Sequence, residues 1–266
     1  MLTRAITGLF FIIVLVGALL LGQVVFTAFF SLVGLAALYE FYGITKSENI
    51  KPNVLLGMLA AAVLAILATL HCLNYIPIKF VGLSIPFFVL IFIASLYQKR
   101  SLAFNDIGLT TLGILYACVP FLFFISLGFI TGTFNFYIPL GFLIILWAND
   151  TGAYLSGRSF GKRKLFERIS PNKTWEGFIG GVLFAMLIAL NLERYFGSLQ
   201  KWEWITMAAI IGVFGTLGDL VESMLKRSLN VKDSGNILPG HGGLLDRFDG
   251  LLLAAPLVFL FFLMLQ

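Results

Sequence analysis

Very little of this sequence could face water. Only 12% of its 266 residues are charged, against 59% hydrophobic, whereas a soluble domain carries roughly a quarter charged residues. That scarcity excludes an ordinary soluble globule and predicts an integral membrane protein. Cysteine and histidine are nearly absent, at two each. Cys72 and Cys118 both lie in apolar runs with no CxxC spacing, which excludes a disulfide framework or a zinc cage and predicts buried thiols. A net charge of +5 would suggest nucleic acid in a soluble chain. Here no nucleic-acid partner is expected, because the cations are distributed as a topology signal.

What the chain has in abundance is long apolar runs. A membrane-spanning helix needs about 20 such residues at 1.5 Å rise each. Nine runs qualify, near residues 5–22, 24–42, 54–72, 79–97, 107–127, 134–150, 177–196, 203–222 and 248–265. The first follows Arg4 without a small-residue cleavage site and is expected to be a retained span. The fold class is therefore an all-α, polytopic membrane bundle of about nine helices, forming one domain over 1–266. Residues 1–148 supply N-terminal spans, and 149–266 carry the chemistry-bearing segments. Placing the N-terminus inside and the C-terminus outside puts 15 of the 18 Lys and Arg on the inner side, leaving only Lys79, Arg194 and Lys201 outside. Such a bias follows the positive-inside rule. Trp147, Trp175, Trp202 and Trp204 fall near expected span ends and read as interface anchors.

Two inner connections, 151–176 and 223–247, are long and rich in charge and glycine. Acidic groups at membrane depth are expensive, so those near span ends are functional candidates. Glu40 stands alone in an apolar run, as a boundary or interhelical residue or as part of a site. Asp219, Glu222, Ser223, Lys226 and Arg227 would form one stripe on a helix. Asp246 and Asp249 repeat the i, i+3 spacing at the start of the last span. Together these carboxylates suit a hard cation such as Mg²⁺, which takes oxygen ligands and leaves positions for substrate phosphates.

Between them lies Lys232-Asp233-Ser234-Gly235, then Leu238-Pro239-Gly240-His241-Gly242-Gly243. Glycines allow close backbone approach and inward-turned N–H groups, as in phosphate nests. His241 could contact phosphate, act as an acid or brace the loop, while His71, inside a span, reads as structural. Gly157-x-x-x-Gly161-Lys162 is one residue short of a P-loop and lacks the following Ser/Thr, which excludes that motif. Ala153, Gly157 and Gly161 recur every four residues, as close helix packing requires. Asp150 sits beside this seam as a further site candidate. Ser170-Pro171 is expected to be the N-cap and first residue of the seventh span.

The run from Ser223-Met-Leu-Lys226-Arg227 through Lys232-Asp233-Ser-Gly235 to Leu238-Pro239-Gly240-His241-Gly242-Gly243-Leu-Leu-Asp246-Arg247-Phe-Asp249 resembles the signature of the phosphatidate cytidylyltransferases, or CDP-diacylglycerol synthases. Ser170 to Gly177 and Asp150-x-x-Ala153-Tyr154 are also similar to motifs of that family. The resemblance is dense over 149–250 and rests on hydropathy before that.

It implies a Mg²⁺-dependent reaction of CTP with phosphatidate, giving CDP-diacylglycerol and pyrophosphate for phospholipid biosynthesis, with room for a second cation. By motif position, Asp219, Asp246 and Asp249 are expected to bind metal and, with Lys226, to form the catalytic set. Lys173, Ser223, Arg227, Lys232, Gly240, His241, Gly242, Gly243 and Arg247 would hold substrate, with Asp150 and Glu222 in support. The expected location is a bacterial-type inner membrane, the site facing the cytoplasm. Small-residue seams leave room for a homodimer. The competing readings are a CTP-dependent polyprenol kinase, a cytidylyltransferase acting on another lipid, a cation-coupled transporter and a non-catalytic scaffold. Acids at span ends rather than the midplane, and the lack of an inverted repeat, argue against the transporter.

Overall fold

The computed structural model describes residues 2–235 and 242–266. The protein is predominantly helical, as expected. Its elements are α1 (Leu2–Leu20), α2 (Gln23–Thr45), α3 (Val54–Cys72), a 3₁₀ helix (Ile78–Ser84) running into α4 (Ile85–Leu96), α5 (Ala103–Gly113), a π-helical turn (Ile114–Cys118), α6 (Val119–Leu127) and α7 (Tyr137–Phe160). Then come β1 (Lys164–Phe166), β2 (Ser170–Thr174), α8 (Trp175–Phe196), α9 (Lys201–Ser228) and α10 (Leu245–Leu263).

Among the described residues, seven helical segments are long and apolar enough to cross a membrane: Gln23–Thr45, Val54–Cys72, Ile78–Leu96, Ala103–Leu127, Tyr137–Phe160, Trp175–Phe196 and Lys201–Ser228. They fit a lipid bilayer, and large side chains such as Leu55, Leu183 and Leu187 lie exposed along them. The other two expected spans coincide with α1, apolar over the shorter stretch Thr7–Leu20, and with α10. The start of α10 is crowded by Asp246, Arg247 and Asp249.

The chain divides into two compact units, each built from two stretches. The first comprises Met1–Ile125 and Val231–Arg247. Its core is aromatic: Phe26 and Phe30 of α2 pack on Phe124, with ring centroids 6.0 and 4.8 Å away. Glycines make room for this bulk. A Cβ on Gly113 would stand 2.7 Å from the Tyr42 ring, and the Tyr42 hydroxyl donates to the Thr110 carbonyl at 2.7 Å, just before the π turn. Both cysteines are thiols outside any disulfide, Cys118 fully buried and Cys72 partly so. His71 has a structural contact, its Nδ1 lying 3.1 Å from the Ile76 carbonyl.

The second unit comprises Ser126–Asn230 and Phe248–Gln266. Here the small residues of α7 and α8 interlock. A Cβ on Gly177 would lie 3.0 Å from the Ala153 carbonyl and 3.2 Å from the Gly157 Cα, and one on Gly181 2.9 Å from the Ala153 methyl. Such seams let helix backbones approach where side chains would hold them apart.

Four expectations change in this unit. Residues 151–160 are not a loop, because α7 continues to Phe160 along the Ala153/Gly157 seam. An antiparallel hairpin interrupts the all-α pattern, pairing Lys164 with Thr174 and Phe166 with Ser170. Ser170 is not a helix cap. A residue before proline is driven to extended backbone, and the cap falls to Thr174, whose Oγ1 accepts from the Gly177 N–H at 3.1 Å. Finally, Trp175 and Trp202 are half-exposed at helix starts, but Trp204 is fully buried against Gly141, and Trp147 lies inside α7.

Candidate active site

Three polar residues of α7 and α9 face a common space in the second unit. Asn149, Asp150 and Asp219 line a cavity of about 560 Å³, along with Tyr154, Lys173, Thr174 and Thr216. Each is placed by a local feature. The small-residue seam fixes α7 against α8 and so orients Asn149 and Asp150. The hairpin carries Lys173 back over the same face, where its Nζ meets the Asp219 carboxylate at 2.5 Å. Asn149 is buried and reaches Thr216 Oγ1 at 3.4 Å across to α9. Neither Asn149 nor Thr216 was singled out from the sequence, although a polar side chain within an apolar helix was signal enough.

A second close approach sets the remaining carboxylate. A Cβ on Gly218 would collide with the Asp249 carbonyl oxygen and lie 3.3 Å from the Gly250 Cα, while one on Gly250 would lie 3.4 Å from Gly215. The crossing of α9 and α10 is thus made by glycines flanking Asp219 and Asp249. It brings these carboxylates into electrostatic contact with each other and with Asp150. Asp249 Oδ1 also accepts from the Gly250 N–H at 2.6 Å.

The stripe expected on α9 is real. Ser223 Oγ lies 3.3 Å from Asp219 Oδ1, and Lys226 Nζ lies 2.6 Å from Glu222 Oε2. Glu222 is only 1% exposed, so Lys226 neutralises a buried charge, a task separate from phosphate binding. Arg227 is exposed at the end of the helix.

In the first unit, the glycine-rich segment is tied down by Asp246. Its Oδ2 accepts from Ser234 N at 2.9 Å, Ser234 Oγ at 3.0 Å and Gly243 N at 2.8 Å. Gly242 has φ +81°, and a Cβ there would stand 2.6 Å from the same oxygen. Only glycine suits that combination. Lys232 and Arg247 are exposed in this segment. Gly240 and His241 lie outside the described residues.

Among the described residues, no three His, Cys, Asp or Glu side chains gather into a cage that could hold a metal. Asp219 and Asp249 offer oxygen donors only, the kind a hard cation takes when it uses one or two carboxylates and fills its other positions from phosphates and water. Mutually repelling carboxylates with one ion-paired lysine also leave negative charge for such a cation to offset.

The sequence as a whole is similar to known proteins. A family model described as the cytidylyltransferase family matches residues 2–265, almost the whole chain.

The chain belongs to the cytidylyltransferase family.

Among its family relatives, the phosphatidate cytidylyltransferase of Bacillus subtilis (strain 168) is 35% identical over 265 residues, 98% of this chain and 96% of that protein. The enzyme of the same name from Staphylococcus aureus (strain COL) is 34% identical over 257 residues, covering 96% of each chain. That from Staphylococcus haemolyticus (strain JCSC1435) is 32% identical over 263 residues. The likeness extends through α1–α6, where the sequence motifs alone carried no resemblance.

Proposed function

We propose that this cytidylyltransferase transfers CMP from CTP to phosphatidate, giving CDP-diacylglycerol and pyrophosphate. The observation that carries the reading is the cavity in which Lys173 and Asp219 meet beside Asp150, opening among helices apolar enough for lipid. One substrate is a lipid and the other a polyanion, so both an apolar and a charged surface are required. A phosphate oxygen of phosphatidate attacks the α-phosphorus of CTP in line. The new P–O bond forms as the α–β anhydride bond breaks, and the electron pair leaves with pyrophosphate.

Such transfers depend on positioning and charge neutralisation more than on covalent catalysis. Lys173 holds a phosphate oxygen, with Arg227 exposed at the end of α9; Lys232 and Arg247, exposed in the first unit, are assigned to phosphate by motif position. Gly242 presents its backbone N–H, with Asp246 holding the segment in shape through the Gly243 N–H. Mg²⁺ bound by Asp219 and Asp249, with Asp150 beside them, would offset the charge that builds on the triphosphate. We further propose nine spans with an inside N-terminus, which puts this chemistry at the cytoplasmic face of the inner membrane. The 15-to-3 cation bias supports that orientation.

The test is incubation of purified protein with α-labelled CTP, Mg²⁺ and phosphatidate. Cytidine label on the lipid, with stoichiometric pyrophosphate, is the expected result. Release of CDP with no cytidine on the lipid would identify a kinase and overturn the proposal.

A further inference from the structure

Glu40 lies in the first unit, far in sequence from the motifs above, yet it is only 6% exposed and directed at them. Its Oε2 accepts from the Leu245 N–H at 3.1 Å and lies 3.4 Å from Ser234 Oγ, contacts spanning 205 and 194 residues. Ser234 is itself bound to Asp246 through both its N–H and its hydroxyl. Glycines make the approach feasible. A Cβ on Gly235 would stand 2.6 Å from Glu40 Oε1, and one on Gly243 would stand 2.5 Å from Oε2. One carboxylate on α2 therefore touches both flanks of residues 236–241: Ser234 and Gly235 before, Gly243 and Leu245 after.

We propose that Glu40 is a positioning residue for the cytidylyl transfer, clasping the two flanks of the glycine-rich segment through Ser234 and the start of α10. The proposal rests on the assignment of that segment to triphosphate binding. A buried carboxylate is costly unless hydrogen-bonded. A purely stabilising contact would be served as well by an apolar side chain packed on α2. What a carboxylate adds is an acceptor, Oε2, placed between the Leu245 N–H and the Ser234 hydroxyl, which sets where those two groups lie. Both belong to the stretch that also presents Lys232 and Arg247. A loosened clasp leaves the fold standing and moves the phosphate contacts, where ~1 Å of displacement costs about a hundredfold in rate.

The experiment measures kcat and KM for CTP in detergent-purified wild type, Glu40→Ala, Glu40→Gln and Ser234→Ala, each normalised to its folded fraction from thermal unfolding. Asp106→Asn serves as the control. Asp106 is as buried as Glu40, but its partners are Arg100, ion-paired at 2.9 Å, and the Lys51 N–H. Glu40→Ala is expected to lose tenfold or more in kcat/KM per folded molecule. Glu40→Gln, which keeps an acceptor for Leu245, should stay within about threefold of wild type, and Asp106→Asn should lose stability but not kcat/KM.

Wild-type kcat/KM in Glu40→Ala, or a loss matched by Asp106→Asn, overturns the proposal. If Glu40→Ala does not fold, the cycle of Glu40→Gln with Ser234→Ala decides. A double variant no worse than the poorer single variant supports one shared clasp, and losses that multiply overturn it. Wild-type protein that transfers no cytidine would instead refute the proposed activity, a separate outcome read before any variant is made.

Discussion

Gly218 provides the sharpest test of how the second unit places its carboxylates. Replacing it with alanine puts a methyl group against the Asp249 carbonyl oxygen, with the Asp249 carbonyl carbon and Gly250 Cα both at 3.3 Å. These are backbone atoms and cannot rotate away. Comfortable non-bonded contact needs ~3.5–4.0 Å, so α9 and α10 must part by about 1 Å. Two effects oppose each other. Alanine improves helix propensity by ~1 kcal/mol, while overpacking a tight contact costs about 1–3 kcal/mol.

The net destabilisation is therefore modest, at roughly 0–2 kcal/mol, and the protein should still fold. Activity should fall much further, because the crossing that parts is the one holding Asp219 beside Asp249. A displacement of ~1 Å at reacting groups costs about a hundredfold. Gly215→Ala, one turn earlier, is the matched control. Its methyl would press only on the flexible Leu146 side chain, at 3.0 Å, with the Gly250 carbonyl oxygen at an ordinary 3.9 Å. Thermal unfolding and initial rates of CDP-lipid formation should place Gly215→Ala near wild type in both and Gly218→Ala down about a hundredfold in rate. A Gly218→Ala enzyme within threefold of wild type would refute the claim that this crossing positions the site.

Lys173 is expected to hold substrate and Lys226 to belong to the catalytic set, and replacing each by methionine should separate their roles. Lys173 and its partner Asp219 are 25% and 38% exposed, so the pair is worth at most ~1 kcal/mol. Lys173→Met should leave the unfolding temperature nearly unchanged while cutting turnover tenfold or more. Lys226→Met leaves the buried Glu222 charge without this counterion and should cost on the order of 3–5 kcal/mol, seen as a large drop in the unfolding midpoint. Asp249→Asn should raise the Mg²⁺ concentration for half-maximal rate at least tenfold. An unchanged Mg²⁺ titration would remove Asp249 from the ligand set.

The apolar runs located the helices because a span's signal is local, carried by 20 consecutive side chains. The polar stripe from Asp219 to Arg227 was legible for the same reason, since helical period alone puts those residues on one face. The hairpin at 164–174 was not. Its cause is the extended backbone that Pro171 imposes on Ser170, together with the better cap at Thr174, and both compete with a plausible cap one turn earlier. Trp204 looked like an interface anchor because its burial depends on Gly141, more than sixty residues away. Glu40 was visible as an anomaly but not as a partner. Nothing local to Leu38-Tyr39-Glu40-Phe41 points to Ser234 or Leu245.

The two carboxylates at the start of α10 show how one motif serves two purposes. Asp246 and Asp249 sit one turn apart with the same chemistry, and sequence spacing assigned them the same role. Asp246 Oδ2 takes three donors from the segment it follows, and an oxygen so engaged is a poor choice for a cation that must also exchange water and phosphate. Asp249 has its backbone pressed against Gly218 and its carboxylate among other acids, where added positive charge lowers the energy of every neighbour. The first arrangement is satisfied as it stands, and the second is completed by a ligand. The same distinction separates Glu222, neutralised by Lys226, from Asp219, which lines a cavity together with its lysine. Within a motif this dense in polar residues, the groups left electrostatically incomplete by the fold are the ones to assign to substrate and metal.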